Sequence, residues 1–169
     1  MHTKQATACP APNASHYLPD VLFEKIIANA PLIAIDLIVE DSKRRMLLGW
    51  RNNPPAKASW FVPGGRVRKN ETLDTAFARI TEAELGQIFQ REQSVFVGIY
   101  QHFYPDNFLG QHGATTHYLA LAHRLWTGDC QLDLPLSQHA QYRWAYPDSI
   151  ACDPQVHAYT RAYFSSEKN

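Results

Sequence analysis

The sequence predicts one mixed α/β domain. Strand-like and helix-like segments alternate along its 169 residues, hydrophobic residues make up 45% against 19% charged, and no internal repeat or composition break marks a second unit. That length is enough to bury a real core. Basic and acidic side chains balance at 16 each. A nucleic-acid-binding protein usually carries a basic excess, so that class is set aside. Cys9, Cys130 and Cys152 are an odd number with no close pair, neither a disulfide framework nor zinc-ligand spacing, so a reducing cytoplasm is expected. No apolar run reaches the length of a signal peptide or a membrane span, and no membrane partner is expected.

Residues 1–17 lack periodicity and read as a mobile tail, leaving residues 18–169 for the domain. Val21, Leu22, Ile26 and Ile27 suit a short amphipathic helix ending near Pro31. Pro31 to Val39 is a strand rich in β-branched residues. Arg45 to Arg51 could pair with it through a turn at Glu40–Lys43. Trp60-Phe61-Val62 is a strand halted by Pro63 and a flexible Gly64-Gly65. Glu71 to Leu85 is a helix closed by Gly86, with Leu73, Phe77 and Ile80 on one face. Strands are expected at Ser94 to Phe103, at Thr115 to Trp126 and near Tyr142 to Ala145, with a last helix between Pro154 and Phe164.

The segment Trp60 to Gly86 carries the chemistry. Glycines let the backbone come close to an ion or a phosphate, and Mg²⁺ favours hard oxygen ligands. At about 100° per helical residue, Glu84 falls in line with Leu73, Phe77 and Ile80. An ionised carboxylate there is costly unless paired or metal-bound. Alternatively the helix frays ahead of Gly86 and leaves Glu84 in solvent, which the spacing alone favours.

Taken whole, the segment resembles the Nudix box, G-x5-E-x7-R-E-U-x-E-E-x-G-U with U a bulky aliphatic. Gly65, Glu71, Arg79, Glu84 and Gly86 fall on its first glycine, first glutamate, arginine, last glutamate and final glycine. The resemblance implies a Nudix fold, a mixed β-sheet sandwiched between α-helices, whose loop-helix-loop box holds Mg²⁺, with Mn²⁺ as a possible substitute. Two box acids are missing: Ile80 and Ala83 stand where glutamates are expected. The same two losses occur in the GDP-mannose mannosyl hydrolases. Similarity to that family extends through P-L-I-A-I-D, W-F-V-P-G-G-R-V, Y-Q-H-F-Y-P-D-N-F, T-T-H-Y, Q-H-A-Q-Y-R-W and R-A-Y-F, over roughly residues 18–168.

Position by position, that resemblance implies that the Gly64 carbonyl, Glu84 and Gln138 ligate the metal and that His139 is the general base. Arg51, Arg66 and Tyr118 hold the departing diphosphate, Asp36 and His102 lie near the sugar, and Arg79 braces Glu71. It also implies a homodimer and a nucleotide-sugar substrate, GDP-mannose or GDP-glucose. Departures are Trp50, where a lysine is expected beside Arg51, an altered loop from Leu109 to Ala114, and a longer N-terminal tail. His16, His112, His117 and His123 are read as structural, and Tyr104 and Trp126 as sheet packing rather than base stacking.

The implied reaction is chemically coherent. Hydrolysis at an anomeric carbon ordinarily takes two carboxylates. A diphosphate whose terminal phosphate has a pKa of about 6 leaves without a proton donor, so one base suffices, and a histidine suits that task. Products would be GDP and free sugar, with inversion at carbon. Two other readings stay open: a standard pyrophosphohydrolase attacking phosphorus, and a catalytically silent nucleotide-sugar-binding module.

Overall fold

The computed structural model describes residues 18–110, 113–136 and 139–165. The expected N-terminal tail, His16, His112, Gln138 and part of the altered loop lie outside the described residues. Its elements are α1 (Asp20–Asn29), β1 (Leu32–Asp41), β2 (Met46–Arg51), β3 (Trp60–Phe61), β4 (Gly64–Arg66), α2 (Leu73–Leu85), a 3₁₀ turn (Arg91–Gln93), β5 (Ser94–Tyr104), β6 (Thr116–Gly128), β7 (His139–Ala145), α3 (Pro147–Cys152) and α4 (Ala158–Ala162).

All seven strands join one mixed sheet in which β1 and β6 run parallel and every other pair is antiparallel. Alternation along β1 sends Ile35, Leu37 and Val39 to one face, where α2 covers them with Phe77, Ile80 and Leu85. Ile38 goes to the other face, with Met46, Leu48, Phe61 and Ile150 beneath α3 and α4. The sheet is therefore sandwiched between helices, the expected α/β architecture. A small third cluster of Phe23, Ile27 and Leu32 seats α1 at the end of the sheet. No helix among the described residues is long and apolar enough to cross a membrane.

Several local expectations need correction. β1 and β2 pair only at Glu40↔Met46, then diverge. β4 takes the vacated edge of β1, with Asp36 opposite Gly64, while β2 pairs with β7 and β3. Gly64 and Gly65 thus sit in a short strand, not a flexible turn. The box helix begins after Glu71: the Thr72 hydroxyl caps it by accepting the Thr75 N–H at 3.1 Å. Leu73, the first helical residue, is exposed and not on the core face. The expected last helix shrinks to α4, and α3, opened by Pro147 in the first turn, was not foreseen because six residues carry too little periodicity. Trp126 is 65% exposed, so it does not pack in the sheet.

Candidate active site

The splay between β1 and β2 opens beside the box. Helix α2 does not fray. Gly86 adopts φ 68° and its N–H bonds the Glu82 carbonyl, while Leu85 is fully buried. A Cβ at Gly86 would collide with the Asp133 carbonyl, so the 130s segment presses on the helix end. Glu84 is held inside at 3% exposure. The alternative in which the helix frays and leaves Glu84 in solvent is overturned, since an anchored last turn leaves it no way out.

Its neighbour is His139, the first residue of β7, which is 1% exposed. The His139 Nε2 lies 3.3 Å from Glu84 Oε2. The imidazole rests on the backbone of Gly49 in β2, where an added Cβ would lie 2.3 Å from Nδ1. Any side chain there would displace the ring. His139 Nδ1 is buried with no hydrogen-bond partner among the described residues.

The remaining box acid, Glu71, is walled off from this pair. Arg79 donates to both of its carboxylate oxygens, at 2.6 and 2.8 Å, and to the Arg66 carbonyl at 2.8 Å, while the Arg68 N–H donates to Glu71 at 2.8 Å. Burial pushes the Glu71 carboxyl up, but these donors outweigh it and hold it below the usual carboxylate range. The bracing role expected of Arg79 fits this geometry, and what it fixes is the main chain of Arg66. Ile80, in place of a box glutamate, is core, and Ala83 faces outward.

Arg51, Arg66, Asp36 and Tyr118 share one electrostatic environment. Burial raises the Tyr118 hydroxyl pKa, opposed by the charges of Arg66 and Arg51. Arg51 lies opposite His139 in the β2–β7 register, with its guanidinium 5.8 Å from the centre of the Phe61 ring. Its Nε is buried without a hydrogen-bond partner among the described residues. The Arg66 guanidinium stacks on Phe23 at 3.8 Å, so α1 shapes this end.

Asp36 is buried, and that burial pushes its carboxyl up to about 6, against the opposing hydrogen bond from Tyr163 and the Arg51 charge. The Tyr163 hydroxyl donates to Asp36 Oδ2 at 2.6 Å and lies 3.3 Å from His102 Nε2. His102 is buried too, stacked on Tyr159 at 4.2 Å and 10°, and burial holds its pKa down to about 4. Asp36 and His102 therefore meet at one hydroxyl, that of Tyr163. Among the structural assignments, His123 accepts or donates with the Ser94 hydroxyl at 2.9 Å, His117 stacks on Phe103, and Tyr104 is buried.

Three contributors escaped the sequence: Gly49, Tyr159 and Tyr163. The two tyrosines stand four apart at the C-terminal helix, a spacing that puts both on one face, and that was the signal available.

Of the expected metal ligands, Gly64 and Glu84 are described. The buried Glu84 carboxylate is a hard oxygen donor of the kind Mg²⁺ takes. That carboxylate fits a divalent cation.

The comparisons with known proteins agree with this architecture. A family model described as NUDIX domain matches residues 30–165. The chain is 37% identical over 145 residues to the low-salt glycan biosynthesis protein Agl8 of Haloferax volcanii, covering 86% of this chain and 90% of that protein. Among solved structures it resembles a MutT protein from Methanosarcina mazei, at TM-score 0.64, 20% identity, and 80% and 92% of the two chains. It also resembles the NUDIX domain of Shewanella oneidensis NrtR complexed with ADP ribose, at TM-score 0.59, 14% identity, and 82% and 94% coverage. Those two likenesses speak for the fold. With a box whose glycine, glutamate and arginine positions form one braced loop-helix unit, and a family match across most of its length, this chain belongs to the Nudix hydrolase family.

Proposed function

We propose that this protein hydrolyses a nucleoside-diphosphate sugar, GDP-mannose or GDP-glucose, to the nucleoside diphosphate and free sugar, with water attacking the anomeric carbon. One observation carries the reading. The box positions that would supply acids for attack at phosphorus are a core isoleucine, Ile80, and an outward-facing Ala83, while the buried Glu84 sits against an imidazole, His139.

A divalent cation, Mg²⁺ or Mn²⁺, held by Glu84, the Gly64 carbonyl and Gln138, would supply charge stabilisation for the diphosphate. Arg51 and Arg66 would neutralise the charge that develops as the diphosphate leaves, with Tyr118 donating a hydrogen bond to it. His139 would take the proton from water. Its Nε2 lies against Glu84, so a rotation away from Glu84 or an exchange of that contact for water would free the base. Asp36 and His102 would bind the sugar hydroxyls. The glycan biosynthesis role in the Haloferax relative's name supports a sugar-bearing substrate. A homodimer, implied by the family resemblance, is part of the proposal, as is a cytoplasmic setting.

The test is hydrolysis of a panel of nucleotide sugars in ¹⁸O-water with Mg²⁺ present. Label is expected in the sugar alone, first as the inverted anomer. Label in the nucleotide or in a sugar phosphate would mean attack at phosphorus, and absence of any product would favour a silent binding module.

A further inference from the structure

We infer that Tyr163 is a positioning residue for the sugar end of the site, fixing Asp36 and His102 as a matched pair of hydrogen-bond acceptors for the hydroxyls of a hexose. This inference rests on the reading proposed above. A tyrosine hydroxyl has one proton to give. At 2.6 Å from Asp36 Oδ2 and 3.3 Å from His102 Nε2, that proton belongs to the carboxylate. The Tyr163 oxygen then faces His102 only as an acceptor, so the imidazole hydrogen must sit on Nε2. Burial keeps His102 neutral near pH 7, and a neutral ring protonated at Nε2 carries its lone pair on Nδ1. Asp36 Oδ1 and His102 Nδ1 become two acceptors set by one hydroxyl, and ring hydroxyls are the donors that match them.

Tyr163 is itself held in place. It follows α4 directly as the residue that ends the helix. One turn earlier, the Tyr159 hydroxyl accepts the Phe103 N–H at 2.7 Å and donates to the Phe103 carbonyl at 2.8 Å. Those main-chain groups belong to β5, the last strand on its side of the sheet, so a side chain stands where a further strand would pair. Tyr159 thereby clamps α4 to the strand that bears His102, and its ring stacks on that imidazole.

The experiment reads the His102 tautomer by long-range ¹H–¹⁵N NMR in the intact protein, then repeats it in Tyr163→Phe and Tyr159→Phe, alongside kinetics with GDP-mannose and GDP binding. The wild type should show the Nε2–H form alone. Tyr163→Phe should mix the tautomers and raise KM about tenfold, the loss of one charge-assisted hydrogen bond, with kcat changed much less and GDP affinity unchanged. Tyr159→Phe should keep the tautomer. A wild-type Nδ1–H form, an unchanged KM in Tyr163→Phe, or equal scrambling in both variants would overturn the inference. The wild-type measurement needs no variant to fold. Should no nucleotide sugar release sugar, the parent reading fails, while the tautomers still decide whether Tyr163 fixes His102.

Discussion

Glu71 and Asp36 are both buried carboxylates within reach of an arginine, yet their surroundings drive them in opposite directions. Glu71 is gripped by the fork of Arg79 and a backbone N–H, so it stays ionised and acts as a fixed strut. Asp36 has a neutral hydroxyl as its hydrogen-bond donor and an arginine acting only at a distance, so burial wins and its carboxyl rises to about 6. The same side-chain chemistry is a brace in one place and an adjustable contact in the other.

The sharpest break of this contrast is Glu71→Ala. It should cost about 3 to 5 kcal/mol of stability, because it strands the Arg79 charge and releases the Arg66 main chain. Denaturant unfolding measures it, and a loss confined to turnover would show that Glu71 is no strut. Glu84→Gln should do the reverse, lowering turnover by about a hundredfold or more while the unfolding midpoint moves little. Titration of bound Mn²⁺ by electron paramagnetic resonance should report weakened binding.

Gly49→Ala tests the packing of His139. A methyl group 2.3 Å from Nδ1 must push the ring off its seat. Turnover should fall about tenfold to a hundredfold with a smaller stability loss, of about 1 to 3 kcal/mol. Normal turnover with a shifted ring in the His139 NMR spectrum would mean that its position is not critical.

The smallest effects lie in pH dependence. Glu71 has a depressed folded-state pKa, so its stabilisation is present above the unfolded value near 4.5 and is lost as pH falls through the folded one. Asp36 has a raised one, so the folded state holds the extra proton between about 4 and about 6, and stability declines as pH climbs through that window. His102, lowered from 6.5 to about 4, opposes Asp36 there, losing stability as pH falls. The two slopes should nearly cancel in the wild type. His102→Gln should expose the Asp36 slope as stability that decreases from pH 4 to 6 in urea titrations, and Tyr163→Phe should raise the Asp36 pKa further, seen by ¹³C NMR of its carboxyl.

The sheet and the box were legible in the sequence because their signals are local. A β-branched run marked β1, periodicity placed β5 and β6, all three to within two residues, and the box spacing marked α2. Glu84 was misjudged from spacing alone because its burial depends on Asp133 pressing on Gly86 from a distant segment, which no window along α2 contains. The splay of β1 from β2 was hidden for the same reason: a hairpin signal says nothing of β4 and β7 competing for the two edges. Asp36 and His102 came from resemblance, and Tyr163, which joins them, lies far from both in sequence.

The parallel pairing of β1 with β6 has a consequence for how the molecule forms. Leu32 meets Tyr118, and Asp36 meets Ala122, so the central seam closes a loop that contains the entire box. Such pairings carry a large entropic cost before any contact repays it, and chains dominated by them fold slowly. Asp36 cannot be walled in before β6 and the C-terminal helix arrive, so catalytic competence should emerge only with the last part of the chain. Truncation before Tyr159 would remove both the clamp on β5 and the hydroxyl that holds Asp36.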